Sequence, residues 1–404
     1  MWELIQSNRR KSAALIVVLA LVLAGLGLSI GWGFGGEEGG YFGVAVAMVV
    51  WIVMLLVNLA AGESILLAAA GAREVTHDDA PQLFNIVEEM KIASGLPAMP
   101  KVYVIDNPAP NAFAVGLKPE RAAVAVTSGL LAQLNRDELQ GVIGHELGHI
   151  TNRDTLFMTL AGVTMGAVIL LADLYLRGMR FGGGRSRRSD SRGGGQAAVI
   201  MMVIALVLAI LAPILAQLLY FACSRRREYL ADASSAQFTR YPAGLASALE
   251  KISGAQHGEL EVSRALAPMF IVNPQAAVGE TTSVFSTHPS TADRIRVLRT
   301  MTSDVSLAAY ETAYQQTHAG HNVMRAATTQ SAQPLAAREA APAAETAQQQ
   351  WRAVQNLVQR TAGYFAIPCD CGVNLKVPQN FGQPAVACPK CGQQHSLPPA
   401  IAQA

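Results

Sequence analysis

The sequence predicts a mainly α-helical protein with a small β-sheet: an α+β body carried on a helical membrane anchor, with a small cysteine-bearing module at the C-terminal end. Three observations carry this. Charged residues are only 15% of the 404, and 51% are hydrophobic, whereas soluble domains hold about a quarter charged residues. Strand-like apolar runs are few and short, while helical runs are many. Four of the five cysteines form two close pairs near the C-terminus, which reads as a metal knuckle in a reducing compartment rather than a disulfide framework. A net charge of +2 gives no overall signal for nucleic acid.

The anchor comes first. Arg9, Arg10 and Lys11 precede an apolar run over 13–30, and a loop with Glu37 and Glu38 separates it from a second run over 41–61. At ~1.5 Å per residue each run can cover the ~30 Å hydrocarbon core. The basic start is that of a signal peptide, but no small-residue cleavage site follows, so the first run reads as a retained span. Basic flanks and an acidic loop put both ends of this hairpin in the cytoplasm.

Residues 62–154 follow on that side. Asp79 to Ser94 has helical spacing with Leu83, Ile86, Val87 and Met90 on one face, stopped by Gly95 and Pro97. Strand-type runs at 102–105, 112–115 and 122–127 are separated by turn residues. A helix from about Gly129 then leads to Asn135-Arg136-Asp137-Glu138, a capping-box start. The helix it opens carries His145-Glu146-Leu147-Gly148-His149. Residues at i and i+4 share a helical face, so both imidazoles can reach one metal ion, and Glu146 can face a water on it. That is the arrangement of a zinc peptidase. The motif is short enough to arise by chance, so a third ligand is its test.

Two further apolar runs, 155–176 and 197–223, flank a Gly-, Ser- and Arg-rich linker. They read as a third and a fourth span, although arginines in a loop favour the cytoplasmic side. The chain then gives Glu228-Tyr229-Leu230-Ala231-Asp232. Glu228 would complete a set of two histidines and one glutamate, and Asp232, one turn on, would take the free ring N–H of a ligand histidine. The competing reading of such a carboxylate pair is a solvated helix face. From Ser234 to Ser253 the pattern is again helical. Residues 319–350, rich in Ala, Gln, Thr and Pro, read as a flexible linker. Beyond it, Cys369-x-Cys371-Gly and Cys388-x-x-Cys391-Gly resemble a zinc ribbon holding a structural ion on four thiolates. The first pair is one residue tighter than usual, which leaves an iron site or a metal-free turn open.

His145 to Asp154, H-E-L-G-H-I-x-N-R-D, with S-R-R-R-E-Y-L-A-D over 224–232, resembles the integral-membrane gluzincins: the HtpX heat-shock proteases and their relatives the CaaX prenyl endopeptidases. The resemblance covers roughly residues 1–300. It implies a zincin-type catalytic body over 62–318, between a transmembrane hairpin at 1–61 and, past the 319–350 linker, a ribbon-like module at 351–404. By resemblance His145, His149 and Glu228 hold Zn²⁺, Glu146 is the general base and Asp232 orients a ligand histidine. Asn111-Ala112-Phe113-Ala114 is similar to a family edge strand that pairs with substrate, the alternatives being a core strand and, for Asn111, a turn. His288 and Arg294, in a T-H-P-S segment and the helix after it, are implied near the site as oxyanion donors, against the plainer readings of a helix entry and an ion pair.

The resulting expectation is a membrane-embedded zinc endopeptidase in a bacterial inner membrane, its site facing the cytoplasm, acting on misfolded or damaged membrane proteins. The competing expectation is a non-proteolytic membrane scaffold recruiting a partner through the ribbon. Chains of the resembling family typically end before that module. No basic or aromatic stripe surrounds its cysteines, so no nucleic-acid partner is expected.

Overall fold

The computed structural model describes residues 2–156, 225–255, 270–272, 289–324, 326–330, 332–341, 346–378 and 381–397, with 158, 177, 210 and 214 as single positions. The apolar runs expected as a third and a fourth span, the arginine-rich linker between them and His288 lie outside the described residues, those single positions aside.

Helix α1 (Trp2–Ala69) is broken by the non-helical angles of Gly35 (φ −144°, ψ 16°) and Gly36 (φ 64°, ψ −144°). The second conformation is cheap only for glycine. The arms fold back on each other at small residues: a Cβ on Gly27 would sit 2.6 Å from Gly43 O, and Gly31 meets Gly39 the same way. Such close backbone approach holds helices together where lipid removes the hydrophobic drive. Leu21, Phe42, Val49 and Val53 are left facing outward, and the Ala20–Val57 stretch is long and apolar enough to cross a membrane. Glu37 and Glu38 sit at the turn of this hairpin, at the start of the returning arm rather than in a loop.

The sheet contains β1 (Ala72–Glu74), β2 (Lys101–Ile105), β3 (Ala112–Val115) and β4 (Ala123–Thr127), in the order β1-β2-β4-β3. β2 and β4 run parallel, and the outer pairs are antiparallel. Both faces are covered, so β3 and β4 read as continuous apolar runs rather than alternating ones. Val102, Val104, Val124 and Val126 face a core shared with the helices. Ile105, Phe113, Val115 and Ala125 pack on Leu67, at the exit of α1, and on Phe270. β1 is short and polar, and carries no strand signal in the sequence.

Helix α2 (Pro81–Ser94) buries the four apolar residues its spacing selects and ends on Gly95 in the left-handed region (φ 68°). After α3 (Ser128–Gln133) comes α4 (Arg136–Thr151), opened by the expected capping box: Glu138 N–H donates to Asn135 Oδ1 at 3.0 Å, and Asn135 N–H to Glu138 Oε2 at 2.8 Å. A helix over 225–239, α5, continues through a left-handed Arg240 (φ 54°) into α6 (Pro242–Gly254). α7 (Thr291–Thr300) and α8 (Leu307–Thr317) complete the body, with the short α9 (Ala326–Gln330) after them.

Residues 332–341, read from composition as flexible linker, are ordered against this body. Val305 N–H donates to Leu335 O at 2.9 Å and Ala337 N–H to Ser303 O at 3.1 Å, while Asp304 Oδ1 accepts Leu335 N–H at 3.0 Å. Backbone pairing of this kind needs no distinctive side chains, so low complexity does not reveal it. Amphipathic α10 (Ala347–Thr361) then buries Val354 and Leu357 in the main core. The hairpins β5 (Tyr364–Pro368)–β6 (Asn374–Pro378) and β7 (Ala385–Ala387)–β8 (Gln394–Ser396) carry the cysteine pairs.

Candidate metal and catalytic centre

α4 lies against α5 because its glycines allow it. A Cβ on Gly148 would stand 3.0 Å from Ser234 Cβ and 3.2 Å from Ala231 Cα, and one on Gly144 3.1 Å from Ser235 Oγ. Ser235 Oγ–H donates to Gly141 O at 2.7 Å across the same seam. The approach brings Glu228 over the two histidines. His145 Nε2 and His149 Nε2 are 3.1 Å apart. Glu228 Oε2 lies 3.5 Å from the first and its Oε1 3.4 Å from the second. Tetrahedral ligands about 2.1 Å from one ion are separated by roughly 3.4 Å, so this donor set fits zinc in chemistry and in spacing.

The surroundings favour a cation. Burial works against a charged His149 ring, but the carboxylates of Asp154 and Glu228 outweigh it and push the pKa up to about 10. His149 Nδ1 is 3.1 Å from Asp154 Oδ2, and His145 Nδ1 is 2.9 Å from Asp232 Oδ1. Each histidine thus turns its outer nitrogen to a buried carboxylate and its inner one to the cluster, an arrangement that fixes tautomer and ring orientation. Asp154 was missed as a functional residue. Its signal was present, a carboxylate five residues after His149 in the N-R-D part of the motif, but α4 stops at Asn152, and spacing beyond a helix end does not say where a side chain points.

Glu146 is 1% exposed, and its Oε1 is buried with no hydrogen-bond partner among the described residues. Burial pushes its carboxyl above the ordinary range, against the pull of His145 and His149. A buried carboxylate oxygen left open beside a ligand cluster is what proton transfer at that cluster requires.

Arg294 reaches the site and is ion-paired there. Its Nε and Nη2 donate to Asp232 Oδ2 and Oδ1 at 2.9 and 2.7 Å, and its Nη1 to Ile271 O at 2.9 Å. Nη1 also stands 3.4 Å from Glu228 Oε2. With its donors turned to these acceptors, the guanidinium holds Asp232. Burial would raise that carboxyl, but Arg294 and His145 together keep it below the ordinary range.

The Asn111–Ala114 segment forms the edge of the sheet, with β3 last in the order. Thr127 N–H donates to Asn111 O at 2.9 Å, so by alternation Ala112 and Ala114 present their peptide groups to the outer edge. Ala112 O there accepts Ile271 N–H at 3.0 Å. Asn111 is buried: its Nδ2 donates to Val272 O at 2.8 Å and its Oδ1 accepts Ala112 N–H at 3.0 Å. It ties residues 270–272 to the strand and is more than a turn former.

The C-terminal cysteines form a second cluster. Cys369 Sγ and Cys391 Sγ are 3.4 Å apart, Cys371 Sγ and Cys388 Sγ 3.5 Å, far beyond the ~2.05 Å of a disulfide. All four sulfurs lie within 4.8 Å of one another. Gly372 (φ 85°) and Gly392 (φ 77°) turn the two knuckles. The backbone N–H of Cys391, with that of Lys390, brings the Cys388 thiol down to about 6, while burial and the neighbouring sulfurs push those of Cys369 and Cys391 up, so the cluster favours one thiolate shared among close sulfurs.

Residues 77–302 match the profile of Peptidase family M48. A protease HtpX homologue of Streptococcus uberis is 41% identical over 301 residues, covering 74% of this chain and 100% of that protein. One of Dictyoglomus thermophilum is 44% identical over 303 residues, covering 74% of this chain and 94% of that protein. The crystal structure of S. mikatae Ste24p aligns with a TM-score of 0.42 at 19% identity, over 74% of this chain and 67% of that one.

Proposed function

The chain belongs to Peptidase family M48 and is a membrane metalloprotease, and from that premise we propose that it cuts misfolded or damaged membrane proteins using one zinc ion held by His145, His149 and Glu228. The observation that carries this reading is the convergence of the two Nε2 atoms and the Glu228 carboxylate beside a Glu146 oxygen that has no partner among the described residues. Bound there, zinc would polarise the scissile carbonyl and bring the pKa of a water towards ~7. Glu146 takes a proton from the attacking water and returns it to the leaving amine, a role suited to a carboxyl whose pKa burial has raised. Asp232 and Asp154 hold the two imidazoles with Nε2 directed at the cluster. Arg294 keeps Asp232 ionised. The outer edge of β3 at Ala114 receives an extended substrate backbone, next to Ile271, which takes Ala112.

The basic N-terminal residues and the acidic turn of the α1 hairpin support a cytoplasm-facing body in a bacterial inner membrane. The four cysteines hold a second zinc, as a structural ion. The test compares the purified full-length chain with Glu146→Gln for zinc content and cleavage of an unfolded test protein. About two zinc ions per chain in both, with cutting by the wild type alone, is the expected result. Equal cutting by both would sink the assignment of the base, and wild-type cutting unaffected by zinc removal would sink the metal reading.

A further inference from the structure

Outside the span of the family profile, residues 332–341 are bonded to the two helices that carry the candidate ligands. Arg338 Nη2 donates to Asp137 Oδ1 at 2.7 Å and to Gln140 Oε1 at 2.8 Å, both in the opening turns of α4. Arg338 Nε donates to Thr239 O at 2.9 Å, at the last residue of α5. Its guanidinium lies 5.0 Å from the Tyr241 ring centroid. The backbone joins in: Arg338 N–H donates to Arg240 O at 2.9 Å and Ala341 N–H to Asp137 Oδ2 at 2.8 Å. One side chain therefore ties together the two helices that supply the ligands, α4 with His145 and His149 and α5 with Glu228, at their ends remote from the cluster.

We propose that Arg338 is a positioning residue for the catalytic centre, a clamp from the C-terminal segment that sets the crossing of α4 and α5. The seam between those helices is narrow, closed by Gly144 and Gly148 against Ser234, Ser235 and Ala231, so a small rotation at one end displaces Glu228 from the histidines at the other. A misplacement near 1 Å costs about a hundredfold in well-aligned catalysis. A planar guanidinium suits the task because it donates in several fixed directions at once. The inference rests on reading His145, His149 and Glu228 as the metal-bearing centre.

The experiment uses the full-length chain in detergent, with Arg338→Ala, Arg338→Lys and, as a docking control, Arg360→Ala, which removes the α10 contact to Asp79 O. Steady-state cleavage gives kcat and KM separately, and transfer of zinc to a chromogenic chelator gives a retention time independent of turnover. Arg338→Ala is expected to lower kcat roughly tenfold with KM within about twofold, and to shorten the zinc-retention phase that remains when Cys388 is replaced by Ser, while Arg360→Ala leaves both unchanged. If Arg338→Ala does not fold, Arg338→Lys carries the comparison: a kcat loss in it alone supports the clamp, and kcat equal to that of Arg360→Ala overturns it. A folded Arg338→Ala with wild-type kcat and zinc retention, or a loss shared by Arg360→Ala, also overturns it. Wild type that neither binds zinc nor cuts would instead remove the underlying metal-centre reading.

Discussion

The two ligand clusters of this chain are built on opposite plans. The cysteine cluster is local: two hairpins within residues 364–396 bring their own sulfurs together around glycine turns. Four thiolates close a tetrahedral shell and leave no position for water. The His145–His149–Glu228 cluster draws on helices far apart in sequence, and each of its histidines is held by a buried carboxylate outside the ligand set. Asp232 holds His145, Arg294 holds Asp232, and Ile271 holds Arg294. It also keeps Glu146 buried and open beside it. A structural ion needs only its ligands. A reactive one needs an open position, and so must be fixed from outside its ligand set.

That contrast is sharpest at the supporting carboxylates. Asp232→Asn removes the closer of the two carboxylates that face the buried Arg294, leaving only Glu228 Oε2 at 3.4 Å, and breaking such a buried pair costs up to about 3–5 kcal/mol. Asp154→Asn leaves Arg227 Nε, 3.7 Å from Asp154 Oδ1, a less direct loss. Both are expected to weaken zinc affinity by roughly 10- to 100-fold, with Asp232→Asn at the upper end and cleavage falling in the same order. Zinc titration of the two variants by competition with a chelator checks it. Equal, near-wild-type affinities would mean that the cluster is as self-sufficient as the thiolate one.

The seam is the next place to press. Gly148→Ala puts a Cβ 3.0 Å from Ser234 Cβ and 3.2 Å from backbone atoms of Ala231, and neither neighbour has a flexible end to move. Overpacking of this kind costs about 1–3 kcal/mol, so thermal unfolding of the body should come earlier and cleavage should fall. Gly254→Ala is the control, because a Cβ there meets nothing within 4 Å. It should be neutral or slightly stabilising at the end of α6. A Gly148→Ala protein as stable and active as Gly254→Ala would show that the α4–α5 approach can give way without consequence.

What could be read in the sequence divides along the same line. The capping box, the i, i+4 histidines, the Glu228–Asp232 turn, the three strands of 102–127 and the cysteine pairs are short-range patterns, and each stands where its period places it. Gly141, Gly144 and Gly148 are visible as letters, but the meaning of the last two depends on α5 lying across them and that of Gly141 on Leu245 of α6. Arg294 was implied at the site, yet which of its donors face protein acceptors is fixed by Asp232 and by Ile271 from other segments. Arg338 sits in a low-complexity stretch whose composition resembles that of a tether. Its partners Asp137, Gln140 and Thr239 lie about 100 to 200 residues earlier, and no local period records a contact of that range.

The smallest effect belongs to the closed cluster. Cys388→Ser removes the thiol best prepared to be a thiolate and should lower zinc content from about two to one per chain. The β5–β6 and β7–β8 hairpins share a small core of Leu375, Val377 and Leu397, too little to hold without the metal, since modules of this size depend on such a staple. Protease digestion should therefore open the chain after α10 in the variant and not in the wild type. Cleavage of an unfolded test protein should stay within about twofold, because residues 332–341 keep their own bonds to α4 and α5 and a local module unfolds without loosening them. Loss of cleavage on a par with Asp232→Asn would join the two clusters into one cooperative unit, and the clamp at Arg338 would then be the route by which the thiolate site reaches the histidines.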